Sequence, residues 1–203
     1  MTRMRAWLPA VIALGSNQGD RESTLRGAVT AINAIDGVRV RRASGIIETP
    51  ALTLDGVDET APAYLNAVVL VDSALTPEEL LAELHAVEAE FGRVRTTRWG
   101  DRTLDLDLID FAGLERATDT LTLPHPRAHE RAFVLHPWAS VQPDASLTGR
   151  GRVADLLGAA LASARGTAAD PVTELDAEPL WRPEPSRGPG SSHGAESPRG
   201  VAR

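Results

Sequence analysis

The chain has 203 residues, 21 basic against 28 acidic, and a formal charge of −7. All the basic residues are arginine and cysteine is absent, which excludes disulfides, zinc–thiolate sites, thiol nucleophiles and any lysine-dependent phosphate loop. The acidic balance argues against binding to nucleic acid or an anionic membrane, no apolar run nears the roughly 18 residues of a spanning helix, and the start lacks the pattern of a signal peptide, so a cytoplasmic protein is expected.

Strand and helix signals alternate along the body. Ala10 to Leu14 is a short apolar run ending in the turn Gly15-Ser16-Asn17. Leu25, Ala28, Val29, Ile32 and Ile35 follow at helical spacing, with Gly37 as the stop. Val38 to Ile47 predicts a partly exposed strand, Glu48 to Ala63 a long loop, and Leu65 to Val71 another strand. Thr76-Pro77-Glu78-Glu79 is a capping box opening a helix whose stripe is Leu80, Leu81, Leu84, Val87 and Phe91. A polar loop from Arg93 to Arg102 leads into a strand over Leu104 to Phe111. A segment rich in His and Pro follows Leu121 to Leu123. Val153 to Ala164 then predicts a helix and Val172 to Leu175 a late strand.

The order strand, helix, strand, strand, helix, strand fits an α+β sandwich with helices on one face of an antiparallel sheet. A single domain over residues 1–181 is expected. Residues 182–203 hold few large apolar side chains among their Gly, Pro, Ser and Arg. Such a segment cannot bury enough surface to offset its ordering entropy, and it reads as a disordered tail.

The densest chemical signal runs from Gly92 to Leu108. Residues two apart in a strand face the same side, roughly 6.6 Å apart along it, so Asp105 and Asp107 can converge on a hard cation, with oxygen ligands favouring magnesium. A solvated polar face on a half-buried strand would read the same way. Arg93, Arg95, Arg98 and Arg102 precede the pair. Arginine forks match phosphate oxygens and stay charged at any working pH, although an exposed loop kept soluble by its arginines has the same composition. Carboxylates for cations beside arginines on a loop supply what transfer of a polyphosphate group needs: positioning and charge neutralisation.

Ala13-Leu14-Gly15-Ser16-Asn17, Glu48-Thr49-Pro50, Tyr64-Leu65-Asn66-Ala67, the run from Arg98 through Asp107, and Leu123-Pro124-His125-Pro126-Arg127 through Phe133 together resemble the 6-hydroxymethyl-7,8-dihydropterin pyrophosphokinase family. The likeness covers roughly residues 10–145 in the right order. It implies a ferredoxin-like α/β sandwich and transfer of the diphosphate of ATP to the pterin's hydroxymethyl group, with release of AMP, in folate biosynthesis.

The resemblance also assigns roles. Asp105 and Asp107 match the aspartates that hold magnesium, with two ions expected. Arg93 and Arg102 match arginines on the transferring phosphates, and Arg95, Arg98 and Trp99 belong to the same nucleotide-facing loop. Glu88, Leu108, Thr122, His125 and Arg131 fall where the family contacts ATP, although Glu88 would also serve as a surface helix acid and His125 as a turn residue. Thr49, Pro50, Leu52, Tyr64, Asn66 and Phe133 match the pterin pocket, with Tyr64 and Phe133 as the aromatic pair and Asn66 as the amide for the ring edge. Phe133 in Ala-Phe-Val-Leu also fits ordinary core. Asp101 departs from the pattern, standing where a proline is usual.

The expected partners are the two small-molecule substrates, with no nucleic acid and no membrane, and the chain is expected to act as a monomer. An RNA-binding module of the same sandwich class is the competing reading for the arginine loop with Trp99, opposed by the net charge and the aspartate pair.

Overall fold

The computed structural model describes residues 6–53, 56–58, 62–92, 103–164, 173–176 and 178–181, of which 51–53, 56–58, 164 and 174–176 are described in backbone only. Strand β1 (Leu8–Ser16) leads to helix α1 (Arg21–Ala34), then β2 (Val38–Ala43), β3 (Ile46–Thr49), β4 (Ala51–Thr53), β5 (Gly56–Asp58) and β6 (Tyr64–Ser73). Helix α2 (Pro77–Glu90) precedes β7 (Asp105–Phe111), β8 (Arg116–Ala117), β9 (Thr122–Leu123), a 3-10 turn (Ala128–Glu130) and helix α3 (Ala132–Val141). Then come β10 (Ser146–Leu147), β11 (Gly151–Arg152), helix α4 (Val153–Ala164) and β12 (Thr173–Asp176).

The main sheet is six-stranded and antiparallel, in the order β12-β3-β6-β1-β7 with β2 also on β6. The predicted strands are therefore the sheet, and the late strand closes its edge against β3. The expected strand over Val38 to Ile47 is interrupted between β2 and β3. Both pieces pair with the long β6, and the Ser44 hydroxyl, which accepts from Val68 N–H at 3.0 Å, covers the break.

Helices α1 and α2 cover one face as expected. Asp20 caps α1 by accepting from Ser23 N–H at 3.1 Å. At α2 both bonds of the predicted capping box form, Glu79 N–H to Thr76 Oγ1 at 3.2 Å and Thr76 N–H to Glu79 Oε2 at 2.8 Å. Such caps each contribute roughly 1 kcal/mol. Leu25, Val29 and Ile32 of α1 and Leu80 and Leu84 of α2 meet Ile12, Leu14, Ala67, Val69, Leu106 and Leu108 of the sheet in one apolar core.

The opposite face carries its own layer. Val11, Ala13, Val68 and Ile109 point there and are covered by Val134, Leu135 and Trp138 of α3 and Val153 of α4. Helix α3 is absent from the sequence reading because Pro137 lies inside it, and an internal proline removes a helix donor and argues against the helix. The long loop expected from Glu48 to Ala63 begins with the end of β3 and contains the β4–β5 hairpin. At the C-terminal end, Leu180 N–H donates to Ser44 O at 2.9 Å and the Leu180 side chain is buried in the first core. The expected tail, 182–203, lies outside the described residues.

Candidate active site

Alternation along β7 decides where its acids point. Leu106 and Leu108 enter the core under α1 and α2, so Asp105 and Asp107 face the other side, toward the layer of α3 and α4. Both are half-buried. The pairing register extends this face across three strands. Asp105, Gly15 and Asn66 form one row, and Asp107, Ala13 and Val68 the next. The floor between the acids and the amide is therefore built of the two small residues Ala13 and Gly15. A Cβ at Gly15 would stand 3.4 Å from Asn66 Oδ1 and 4.0 Å from Asp105 Cβ, so any larger side chain fills the space between them.

Asn66 is buried and donates through Nδ2 to Thr49 Oγ1 at 2.8 Å. That bond fixes the amide, which frees Oδ1 to face along the row toward Gly15. Tyr64 lies two residues earlier on the same side of β6 and pairs in register with Thr49. Helix α3 packs over β6 and β3, and Phe133, in its first turn, is only partly buried against the α3–α4 core. The Arg131 guanidinium lies 5.5 Å from its ring centroid.

Arg131 turns the other way as well, donating from Nη1 to Asp107 Oδ2 at 3.2 Å. His125 approaches the same oxygen, with Nε2 at 4.0 Å. Its backbone N–H donates to Ile109 O at 2.8 Å, which pins it to the outer edge of β7. Burial is the main reason His125 titrates below the ordinary imidazole range. Asp107 pulls the other way and Arg131 adds to the depression, so the ring is neutral at pH 7. Its Nδ1 accepts from Arg127 N–H at 3.3 Å, which leaves the proton on Nε2, facing Asp107.

Glu88 is not a surface acid. It is buried at 1% exposure, and its Oε1 accepts from Leu106 N–H at 2.8 Å, between the two aspartates. This bond ties the end of α2 to the start of β7, which are the two ends of the arginine-bearing segment. Replacing Glu88 with Ala leaves the Leu106 N–H buried and unpaired, at a cost of about 1–3 kcal/mol. The melting temperature should fall by about 2–10 °C, and by less for Glu88→Gln, which keeps an acceptor. Equal melting points for Glu88→Ala and wild type in a thermal denaturation would contradict the clamp.

The other expected site residues fall into three groups. Leu108 has its side chain in the α1–α2 core, so it can meet a ligand only through its main chain. Thr122 is exposed on β9, and Pro50 is half-buried between β3 and β4. Arg93, Arg95, Arg98, Trp99, Asp101 and Arg102, and the side chain of Leu52, lie outside the described residues.

Among the described residues no three His, Cys, Asp or Glu side chains gather into a metal-holding group, and no helix is long and apolar enough to cross a membrane. Two half-exposed carboxylates side by side do fit a magnesium site of the kind that substrate phosphates and water complete.

A βαββαβ-type antiparallel sheet whose small-residue floor joins an acid pair to a buried amide defines a ferredoxin-like α+β domain. The chain belongs to the 7,8-dihydro-6-hydroxymethylpterin-pyrophosphokinase (HPPK) family, whose sequence model matches residues 11–143. It is 41% identical over 140 residues to the 2-amino-4-hydroxy-6-hydroxymethyldihydropteridine pyrophosphokinase of Methylorubrum extorquens, covering 69% of this chain and 86% of that one. To the Bacillus subtilis protein of the same name it is 44% identical over 132 residues, covering 65% and 77%. Its fold resembles a Plasmodium falciparum HPPK-DHPS crystal structure, with a TM-score of 0.63 at 12% identity over 81% of this chain. The chain spans 47% of the length of that structure's chain.

Proposed function

We propose that the protein transfers the diphosphate of ATP to the hydroxymethyl group of 6-hydroxymethyl-7,8-dihydropterin, giving AMP and the pterin methyl diphosphate. The observation that carries this reading is the row Asp105–Gly15–Asn66. It sets a carboxylate for the triphosphate side and a fixed amide for a ring edge on one face, with only a glycine between them.

The pterin lies on the Asn66 side. The Asn66 amide meets the ring edge, Tyr64 and Phe133 stack on its faces, and Thr49 holds the amide in place. ATP lies on the Asp107 side. Asp105 and Asp107 would hold magnesium, two ions in this reading, and bound magnesium neutralises triphosphate charge that the carboxylates would otherwise repel. Arg131 is already beside Asp107 and can bond a phosphate oxygen from the same position.

The pterin's hydroxymethyl oxygen forms a bond to the β-phosphorus as the bond from that phosphorus to the α-bridging oxygen breaks. AMP leaves with the electron pair, and the hydroxyl proton passes to solvent or to a phosphate oxygen. A loose transition state demands charge stabilisation more than a strong base, which agrees with a described face that offers carboxylates, a guanidinium and a neutral imidazole. Arg93 and Arg102 stabilise the transferring group, with Arg95, Arg98 and Trp99 on the same segment. In this reading the chain acts as a monomer.

The test is nucleotide analysis after mixing the protein with ATP, magnesium and the pterin. AMP should form in step with consumed pterin and stop when magnesium is chelated. Formation of ADP in place of AMP, or of AMP without pterin, would contradict the reading.

A further inference from the structure

We infer that Arg21 is a positioning residue for the pterin pocket, its guanidinium holding together the two ends of the chain segment between β3 and β6. The inference rests on the pterin-binding reading of that pocket. Arg21 is the first residue of α1. From one nitrogen, Nη1, it donates to Glu48 Oε1 at 3.0 Å and to Ala63 O at 2.6 Å. Glu48 immediately precedes Thr49, and Ala63 immediately precedes Tyr64. Thr49 and Tyr64 are register partners, and both line the proposed pocket.

Strand alternation places Arg21 out of reach of the ligand. Glu48 pairs with Leu65, whose side chain lies in the α1–α2 core. The Glu48 side chain is therefore on the α1–α2 side of the sheet, and Thr49, Tyr64 and Asn66 are on the α3–α4 side. Arg21 can act on the pterin only through the backbone it fixes.

Stability alone gives a poor account of this bond pair. The Arg21 and Glu48 side chains are 30% and 31% exposed, and ion pairs so open to solvent contribute little to folding. A guanidinium shared between a carboxylate and a main-chain oxygen on neighbouring strands instead sets a distance. That distance is the one between the end of β3 and the start of β6, and with it the separation and tilt of Thr49 and Tyr64. A displacement of about 1 Å in a positioned site is enough to cost roughly 100-fold in rate.

The experiment compares Arg21→Ala, Arg21→Lys, Glu48→Ala and the double Ala variant with wild type, in full-length protein well below each melting point. Arg21→Ala should raise KM for the pterin about tenfold while KM for ATP stays within about twofold. Arg21→Lys, which keeps the charge and loses the planar fork, should recover part of the loss. The double variant should be no worse than Arg21→Ala, because the two side chains act as one unit.

Amide hydrogen exchange gives a readout that needs no substrate: exchange across Thr49 and Tyr64 should quicken by about tenfold or more in Arg21→Ala. Unchanged exchange, or KM values for pterin and ATP rising together as the melting point falls, would overturn the positioning role. A wild-type protein that fails to turn over the pterin would instead remove the functional reading, while the exchange data would still decide whether the clamp exists.

Discussion

Replacing Asp107 with Ala should lower kcat/KM by about three orders of magnitude or more, with little change in melting temperature. The two halves of that expectation have separate causes. Asp107 supplies one of the two carboxylates of the proposed site, and among the described residues no three His, Cys, Asp or Glu side chains form a metal-holding group that could stand in for it. On the proposed function its loss should therefore weaken both the hold on magnesium and the placement of the triphosphate. Folding depends on it far less. Asp107 is half-buried and its partner Arg131 keeps access to water, so no charge is left buried and unpaired. Asp107→Asn should be nearly as damaging to rate, because an amide keeps the shape and loses the charge. The check is initial AMP release beside a thermal melt of the same preparation. Near-normal turnover, or a loss of rate that tracks unfolding, would refute the assignment.

Arg102→Ala should cost about 100- to 1000-fold in kcat while leaving KM for the pterin close to wild type. Arg102 lies outside the described residues, and its proposed role is the one that the family likeness of the run from Arg98 through Asp107 implies. In the proposed reaction its guanidinium would serve charge that grows as the diphosphate leaves AMP, which is a transition-state effect and belongs in kcat. Steady-state kinetics with each substrate varied in turn separates the outcomes. An effect confined to pterin affinity would contradict the phosphate role.

Much of this architecture is written locally. The capping box at Thr76, the spacing of Leu25 to Ile32 and the alternation of Asp105 to Leu108 each declare one element and one face, because each depends on neighbours in sequence. The acid pair was legible for the same reason: a period of two is a property of any strand. Helix α3 was hidden, since Pro137 argues against a helix that Val134, Leu135 and Trp138 stabilise by packing on the sheet. The second helical layer depends on those long-range contacts. Gly15 was visible only as part of a motif, and its place between Asn66 and Asp105 exists only once three strands are in register. Glu88 and Arg21 are further cases. A helix acid and a helix-start arginine look like solvated surface until the fold brings Leu106, Glu48 and Ala63 to them.

The central claim is that Asp105 and Asp107, on the face shared with Asn66, hold the cations of bound ATP. A crystal structure with magnesium and a non-hydrolysable ATP analogue tests it most directly. Carboxylate oxygens of both residues are expected about 2.0–2.1 Å from magnesium ions that also touch phosphate oxygens, with the triphosphate lying toward Arg131. A nucleotide seated elsewhere, or magnesium bound without either carboxylate, would contradict it.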